Sequence, residues 1–245
     1  MADNVSLKVE LLQHNAAGEK IAALAAKLCY SDSDLQGLSE KVSASEQDDF
    51  IEKLASMGHF SVFEHISFTF GVEGVSRALT HQLVRHRIAS YSQKSQRYVK
   101  QGESFPFITP TSVSENDEAQ KIFTEAMDYL AGAYSKLSAL GVPAEDARYV
   151  LPNACETKII ITMNARQLLH FFSLRSCLRA QWEIRALSDK MLALAYKVAP
   201  SIFKKAGPGC CNKGCPEGKF TCGKASSVKK HIADIKLSVS VSGEI

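Results

Sequence analysis

The chain has 245 residues, enough for one large domain or two small ones with a sizeable core. Apolar residues make up 45% and charged residues 22%, as in ordinary globular proteins. No apolar run reaches the roughly eighteen residues of a membrane span, the N-terminus lacks a signal core, and a net charge of +3 gives little pull toward nucleic acid or membrane. A cytoplasmic protein is expected.

Val5–Leu12 alternates apolar and polar residues and is expected to be the first strand. Glu19–Tyr30 follows as a helix with Ile21, Leu24, Ala25 and Leu28 on its apolar face. Ser31–Ser45 is polar and holds glycine, so a surface loop is expected. Ser45 with Asp48 reads as the start of a helix that Gly58 ends. His59 and His65 frame a short segment before the alternating strand Ile66–Val72, and their spacing matches no strong metal motif. Val75–Val84 is expected to be a short helix delivering Gln82 and Arg85 to the basic segment Arg85–Tyr98.

Lys100–Val113 carries Pro106 and Pro110 and is expected to be a loop. Ser114 and Asp117 then start a long helix with a stripe of Phe123, Met127, Leu130, Tyr134 and Leu137. A short helix over Pro143–Val150 carries Arg148. Thr157–Met163 is β-branched and reads as a well-buried strand, and Asn164 opens one long helix running to Pro200. Cys29, Cys155 and Cys177 lie in apolar periodic segments, which predicts buried thiols. The other four cysteines crowd into Cys210–Cys222, where a zinc site, reducible disulfides and a turn-rich flap with free thiols all stay open. Lys236–Val241 alternates enough for an edge strand, or is disordered.

Arg85-His86-Arg87, seven residues, then Ser95-Gln96-Arg97 concentrates guanidiniums suited to phosphate and carboxylate. This run resembles the signature of the flavin-dependent thymidylate synthases. The segment His59–His65 is similar to that family's Gly-His, Phe-Glu-His block, and Asn164-Ala165-Arg166 with Leu174-Arg175 and Gln181-Trp182-Glu183 is similar to a second block. The resemblance implies an α/β fold with a central mixed sheet flanked by helices. It implies a single family domain over residues 1–206, followed by a Cys/Gly-rich extension over 207–245.

It also implies reductive methylation of dUMP to dTMP, with 5,10-methylenetetrahydrofolate as carbon donor, FAD as cofactor, NADPH as reductant and no enzyme nucleophile. The cofactor then carries the organic chemistry while the protein binds, orients and supplies charge. By the same resemblance Ser61, Arg85, His86, Arg87, Gln93, Asn164, Arg166 and His170 contact the flavin, and His59 belongs to the folate and flavin pocket. Gln82, Arg85, Gln93, Ser95, Gln96, Arg97 and Arg148 bind dUMP, with Arg175 catalytic at the pyrimidine edge. Gln93 and His170 depart from the family's usual residues. The family's assembly is a homotetramer with shared active sites. The rivals are a nucleic-acid-binding module with a zinc knuckle at Cys210–Cys222, and a flavin reductase acting on another substrate. Neither nucleic acid, membrane nor metal is an expected partner.

Overall fold

The computed structural model describes residues 5–43, 47–102 and 104–240. In chain order they form β1 (Lys8–His14), α1 (Gly18–Leu28), α2 (Leu35–Ser43), α3 (Asp48–Met57), a 3-10 turn over Phe60–His65, β2 (Ser67–Ser76), α4 (Arg77–Leu83) and β3 (Ala89–Gln93). There follow α5 (Thr111–Ser114), α6 (Asp117–Ala139), α7 (Ala144–Ala147), β4 (Glu156–Asn164), α8 (Ala165–Arg175), α9 (Trp182–Val198), α10 (Pro200–Phe203) and α11 (Ala225–Ser240). The α/β class is as expected. The four strands form one sheet in the order β1-β2-β4-β3. Thr69 meets Thr162 and Gly74 meets Glu156 along β2 and β4, so that pair is antiparallel.

The chain groups into two compact units, and β2 and β4 each contribute residues to both. Of the described residues, the first unit takes in 5–8, 71–85 and 91–160. Its core holds Phe105, Met127, Ala131 and Cys155, with Phe107 edge-on to Phe123. Asn116 starts α6 by accepting from the Ala119 amide, where Ser114 had been expected to cap. The second unit takes in the described residues among 9–70, 86–90 and 161–240. A file of rings crosses its core: Phe68 on Phe203, Phe203 on Phe172, Phe172 on Phe171, and Phe171 on His86, with centroids 5.0–5.9 Å apart.

Several expectations are corrected. Residues 35–43 form α2 and no loop, because Asp34 Oδ1 accepts from the Gly37 amide and Leu38 and Val42 turn inward. The basic segment contains β3, whose Tyr91 hydroxyl donates to the Leu83 carbonyl. The single helix expected from Asn164 to Pro200 is two: Gln181 accepts from the amides of Glu183 and Ile184 and starts α9 afresh. β4 alternates, leaving Ile160 half exposed between buried Ile159 and Ile161.

Lys236–Ser240 belongs to helix α11, not a strand. Its buried side follows Val228 and Ile232 at helical spacing, while Leu237 points outward. Cys29 is exposed, against expectation. The expected helix start at Ser45, and Val241, lie outside the described residues. Gly58 ends α3 in the left-handed conformation, as expected.

Gly74 is held at φ 70°, and a Cβ there would sit 2.2 Å from the Ser6 carbonyl oxygen. Its amide donates to Glu156, whose side chain is buried. Gly74→Ala should destabilise the protein by more than about 2 kcal/mol, adding left-handed strain to a backbone clash. Urea denaturation measures this, and a midpoint within about 0.5 kcal/mol of wild type would contradict it.

Candidate active site

In the second unit, α8 is the platform. Asn164 caps it by accepting from the Gln167 amide at 2.8 Å, so Asn164, Arg166, Gln167 and His170 occupy its first turns. They line a cavity of about 580 Å³ whose apolar wall includes Phe60, Ile88 and Leu169. Arg166 pairs with Glu64 at the rim. Burial of Phe63 seats the 3-10 turn that supplies Phe60 and Glu64. An apolar slot edged by amide, imidazole and guanidinium donors fits a planar heteroaromatic cofactor with an anionic arm.

His86 stands behind this wall, only 5% exposed. Its Nε2 lies 3.0 Å from Nε of Arg175, and its Nδ1 3.2 Å from the Gln167 side-chain amide. Arginine has no acceptor, so Nε2 must accept and the neutral ring carries its proton on Nδ1. A half-turn of the Gln167 amide then offers its oxygen to that proton. Burial first, then Arg175 and His170, pushes His86 down to about 4, which keeps the ring neutral at physiological pH. Burial also lowers the Arg175 pKa.

In the first unit, Ser76 accepts from the Leu79 amide and starts α4, which carries Arg77 and Gln82. Arg97 Nε donates to the Glu145 carboxylate at 2.6 Å, and Arg148 Nε to the Glu145 carbonyl at 3.1 Å. Burial lowers the Arg77 pKa, opposed by Cys155 and aided to a smaller extent by the Arg148 charge. Ser95 Oγ accepts from the Arg97 amide, fixing that turn. Gln96 bonds to the Cys155 thiol, whose pKa burial raises. Gln93 donates to Thr80 and Thr157, which commits its amide hydrogens to tying α4, β3 and β4 together.

The expected site residues therefore fall into distinct groups. Asn164, Arg166 and His170 share one cavity, with His86 and Arg175 joined behind it. Ser95, Arg97 and Arg148 belong to the arginine group around Glu145. Gln82 sits half-buried in α4, and Arg85 and Arg87 are exposed on either side of buried His86. His59 and Ser61 line a separate cavity of about 630 Å³ with Tyr30 and Lys53. Reading residue by residue missed Gln167, Glu64, Glu145 and Arg77. Gln167 had a signal, three residues after a capping Asn, and Glu64 lay inside the Phe-Glu-His segment.

All seven cysteines are unpaired, and among the described residues no group of His, Cys, Asp or Glu is arranged to hold a metal ion. Cys211 is pushed up to about 11, chiefly by burial and then by Cys210. The tail is fastened instead by Arg179, which donates to the Phe220 carbonyl at 2.8 Å, and by Lys236. No helix among the described residues is long and apolar enough to cross a membrane.

An α/β chain with a cofactor-sized cavity on one helix start and an arginine group elsewhere can bind a ring and several anionic groups while offering few acids or bases. The family described as thymidylate synthase complementing protein matches residues 10–201. The chain is 57% identical over 232 residues to the flavin-dependent thymidylate synthase of Geobacter sulfurreducens, covering 94% of this chain and 100% of that one. It is 50% identical over 242 residues to that of Clostridium tetani, covering 92% and 97%. Among solved structures, the UMP/dUMP methylase PolB from Streptomyces cacaoi, bound with 5-Br dUMP, matches with a TM-score of 0.71 at 25% identity, over 83% of this chain and 96% of that one. The chain belongs to the flavin-dependent thymidylate synthases.

His86 sets a pH dependence. Its folded pKa of about 4 lies below the ordinary value of 6.5, so the unfolded chain binds the extra proton first. Its contribution is complete above pH 6.5 and is lost as pH falls toward 4. The slope cannot exceed about 1.4 kcal/mol per pH unit from this one group. Denaturation curves at successive pH values should show this slope, and His86→Asn should flatten it; an equal slope in both proteins would contradict the assignment.

Proposed function

We propose that the protein methylates dUMP reductively to dTMP, with 5,10-methylenetetrahydrofolate as carbon donor, resident FAD and NADPH as reductant. The observation that carries this reading is Arg175 held by a neutral, buried His86 behind the cavity of Asn164, Arg166 and His170. When bound, the flavin supplies the hydride that reduces the transferred carbon. Asn164, Arg166 and His170 would hold it and the exposed cations Arg85 and Arg87 would meet its anionic arm, while His59 and Ser61, in their own cavity, would serve the folate. His86 acts from behind, fixing Gln167 in the wall.

The dUMP phosphate is taken by Arg97 and Arg148, whose present partner Glu145 occupies the cation until an anion displaces it. Ser95, Gln96, Gln82 and Gln93 complete the nucleotide site. Gln93 serves chiefly by supporting its floor, because its amide already bonds two threonines. Arg175 meets N3 and O2 of the uracil. A fixed cation there stabilises negative charge in the ring and raises electron density at C5, the carbon that forms the new bond. The guanidinium stays charged despite its burial, and two of its N–H groups can meet two ring atoms at once.

No thiol is needed for activation, and Cys155, next to Gln96, is a poor thiolate because burial raises its pKa. Arginines scattered over separated blocks suit a homotetramer whose active sites are shared between subunits. A cytoplasmic location and a family domain over residues 1–206 with an extension over 207–245 complete the reading. The nucleic-acid reading gains nothing: Arg97 and Arg148 converge on one glutamate and form no basic stripe.

The purified, FAD-loaded protein should form dTMP from dUMP, methylenetetrahydrofolate and NADPH, and absence of product would end this assignment. Arg175→Ala should lower turnover at saturating dUMP by about 10²–10³, as for loss of one preorganised electrostatic donor. Arg175→Lys should recover only part of it, with FAD content unchanged in both. Near wild-type turnover in the alanine variant would remove Arg175 from the mechanism.

A further inference from the structure

The C-terminal extension has no role in the chemistry so far, yet it walls a second cavity. This one encloses about 480 Å³ and shares Phe60, Leu169 and Ser173 with the flavin cavity, so the two adjoin. Its outer wall is the loop 205–213. Among the described residues that line it, the charged side chains are Lys205 and Lys213, with no Asp or Glu beside them in the lining. Ile202, Leu169 and Phe60 supply an apolar strip along the path.

The loop is held in place before any ligand arrives. Asn212 Nδ2 donates to the Lys205 carbonyl at 2.6 Å, closing the turn. Lys236 Nζ, from α11, donates to the carbonyls of Lys204 and Ala206, both at 2.8 Å. Gly207 stands at φ 134°, where a Cβ would come within 3.2 Å of Ile232. At Gly209 a Cβ would meet Pro216 at 2.9 Å. Asn212, Pro216 and two residues of α11, Ile232 and Lys236, thus fix one wall.

We propose that this cavity takes the anionic glutamyl chain of the folate carbon donor; the inference rests on the function proposed above. The shared requirement is two or more negative charges on an arm with an apolar stem, reaching from the flavin cavity. Two separate ammonium groups, each a point charge, suit successive carboxylates spaced along a flexible chain, and the apolar lining suits a stem that a bare phosphate lacks. The apolar strip accommodates the aryl and methylene stem, and the extension becomes a specificity element of the active site.

The test compares wild type with Lys205→Gln/Lys213→Gln, both FAD-loaded. KM is measured for mono- and triglutamyl methylenetetrahydrofolate and for NADPH against NADH, alongside FAD affinity and thermal midpoint. Calorimetric binding of triglutamyl tetrahydrofolate reads the same lysines without turnover. Wild type should favour the triglutamyl donor by about 3- to 10-fold, the range for two exposed ion pairs. The double variant should lose that preference in both KM and calorimetry. Its monoglutamyl KM, kcat, FAD affinity and thermal midpoint should hold. A preference absent from wild type or kept by the variant overturns the proposal, as does loss confined to NADPH selectivity or to FAD affinity. A wild type that forms no dTMP but binds the triglutamyl chain through these lysines would sink the proposed reaction and leave the cavity assignment standing.

Discussion

A permanent cation is held in the protein by a neutral imidazole. Arg175 donates to Nε2 of His86, and nothing about that bond survives protonation of the ring. Two opposing effects decide the charge. Proximity of a hydrogen-bonding group favours keeping the histidine in place, but a second cation about 4 Å from the guanidinium would cost on the order of 4 kcal/mol at an effective dielectric of 20. Burial adds to this penalty and is the larger cause of the depressed pKa. The neutral ring therefore wins, and its remaining nitrogen is committed to Gln167.

The packing around that imidazole keeps it from water. The ring file from Phe68 through Phe203, Phe172 and Phe171 ends edge-on against His86 at 5.0 Å. Asn164 starts α8 at the residue that places Gln167 and His170 on the cavity side and Arg175 at the helix end. The break after Arg175 matters for the same reason. Ser176 is buried and its hydroxyl bonds Ser188, so the segment following the arginine is anchored to α9. One continuous helix would have carried Arg175 on an unbroken cylinder with no such anchor.

Much of this was legible in the sequence, and the remainder failed for physical reasons. Periodicity located β2 and α6, each with one apolar face, and Asn164 marked the start of α8 as its capping residue. The arginines and histidine of residues 85–97 stood out by their chemistry. What could not be read was direction: His86 lies between two exposed arginines and is itself buried. No pattern of three charged neighbours tells which one turns inward. α2 was hidden because its buried positions, Leu38 and Val42, sit among polar residues and a glycine that Asp34 caps. In α11, alternating apolar residues near its end mimicked a strand, while the packed face followed helical spacing from Val228. Pairing of Arg97 with Glu145 joins residues 48 apart and has no local signature.

The most direct test of this arrangement is nitrogen NMR of the protein labelled at histidine, with His86 assigned through His86→Asn. At pH 7 the His86 ring should be neutral, with Nε2 bare and Nδ1 protonated, and it should stay so down to about pH 5. A ring protonated on both nitrogens at pH 6, or a neutral ring carrying its proton on Nε2, would show that Arg175 is not held in this way.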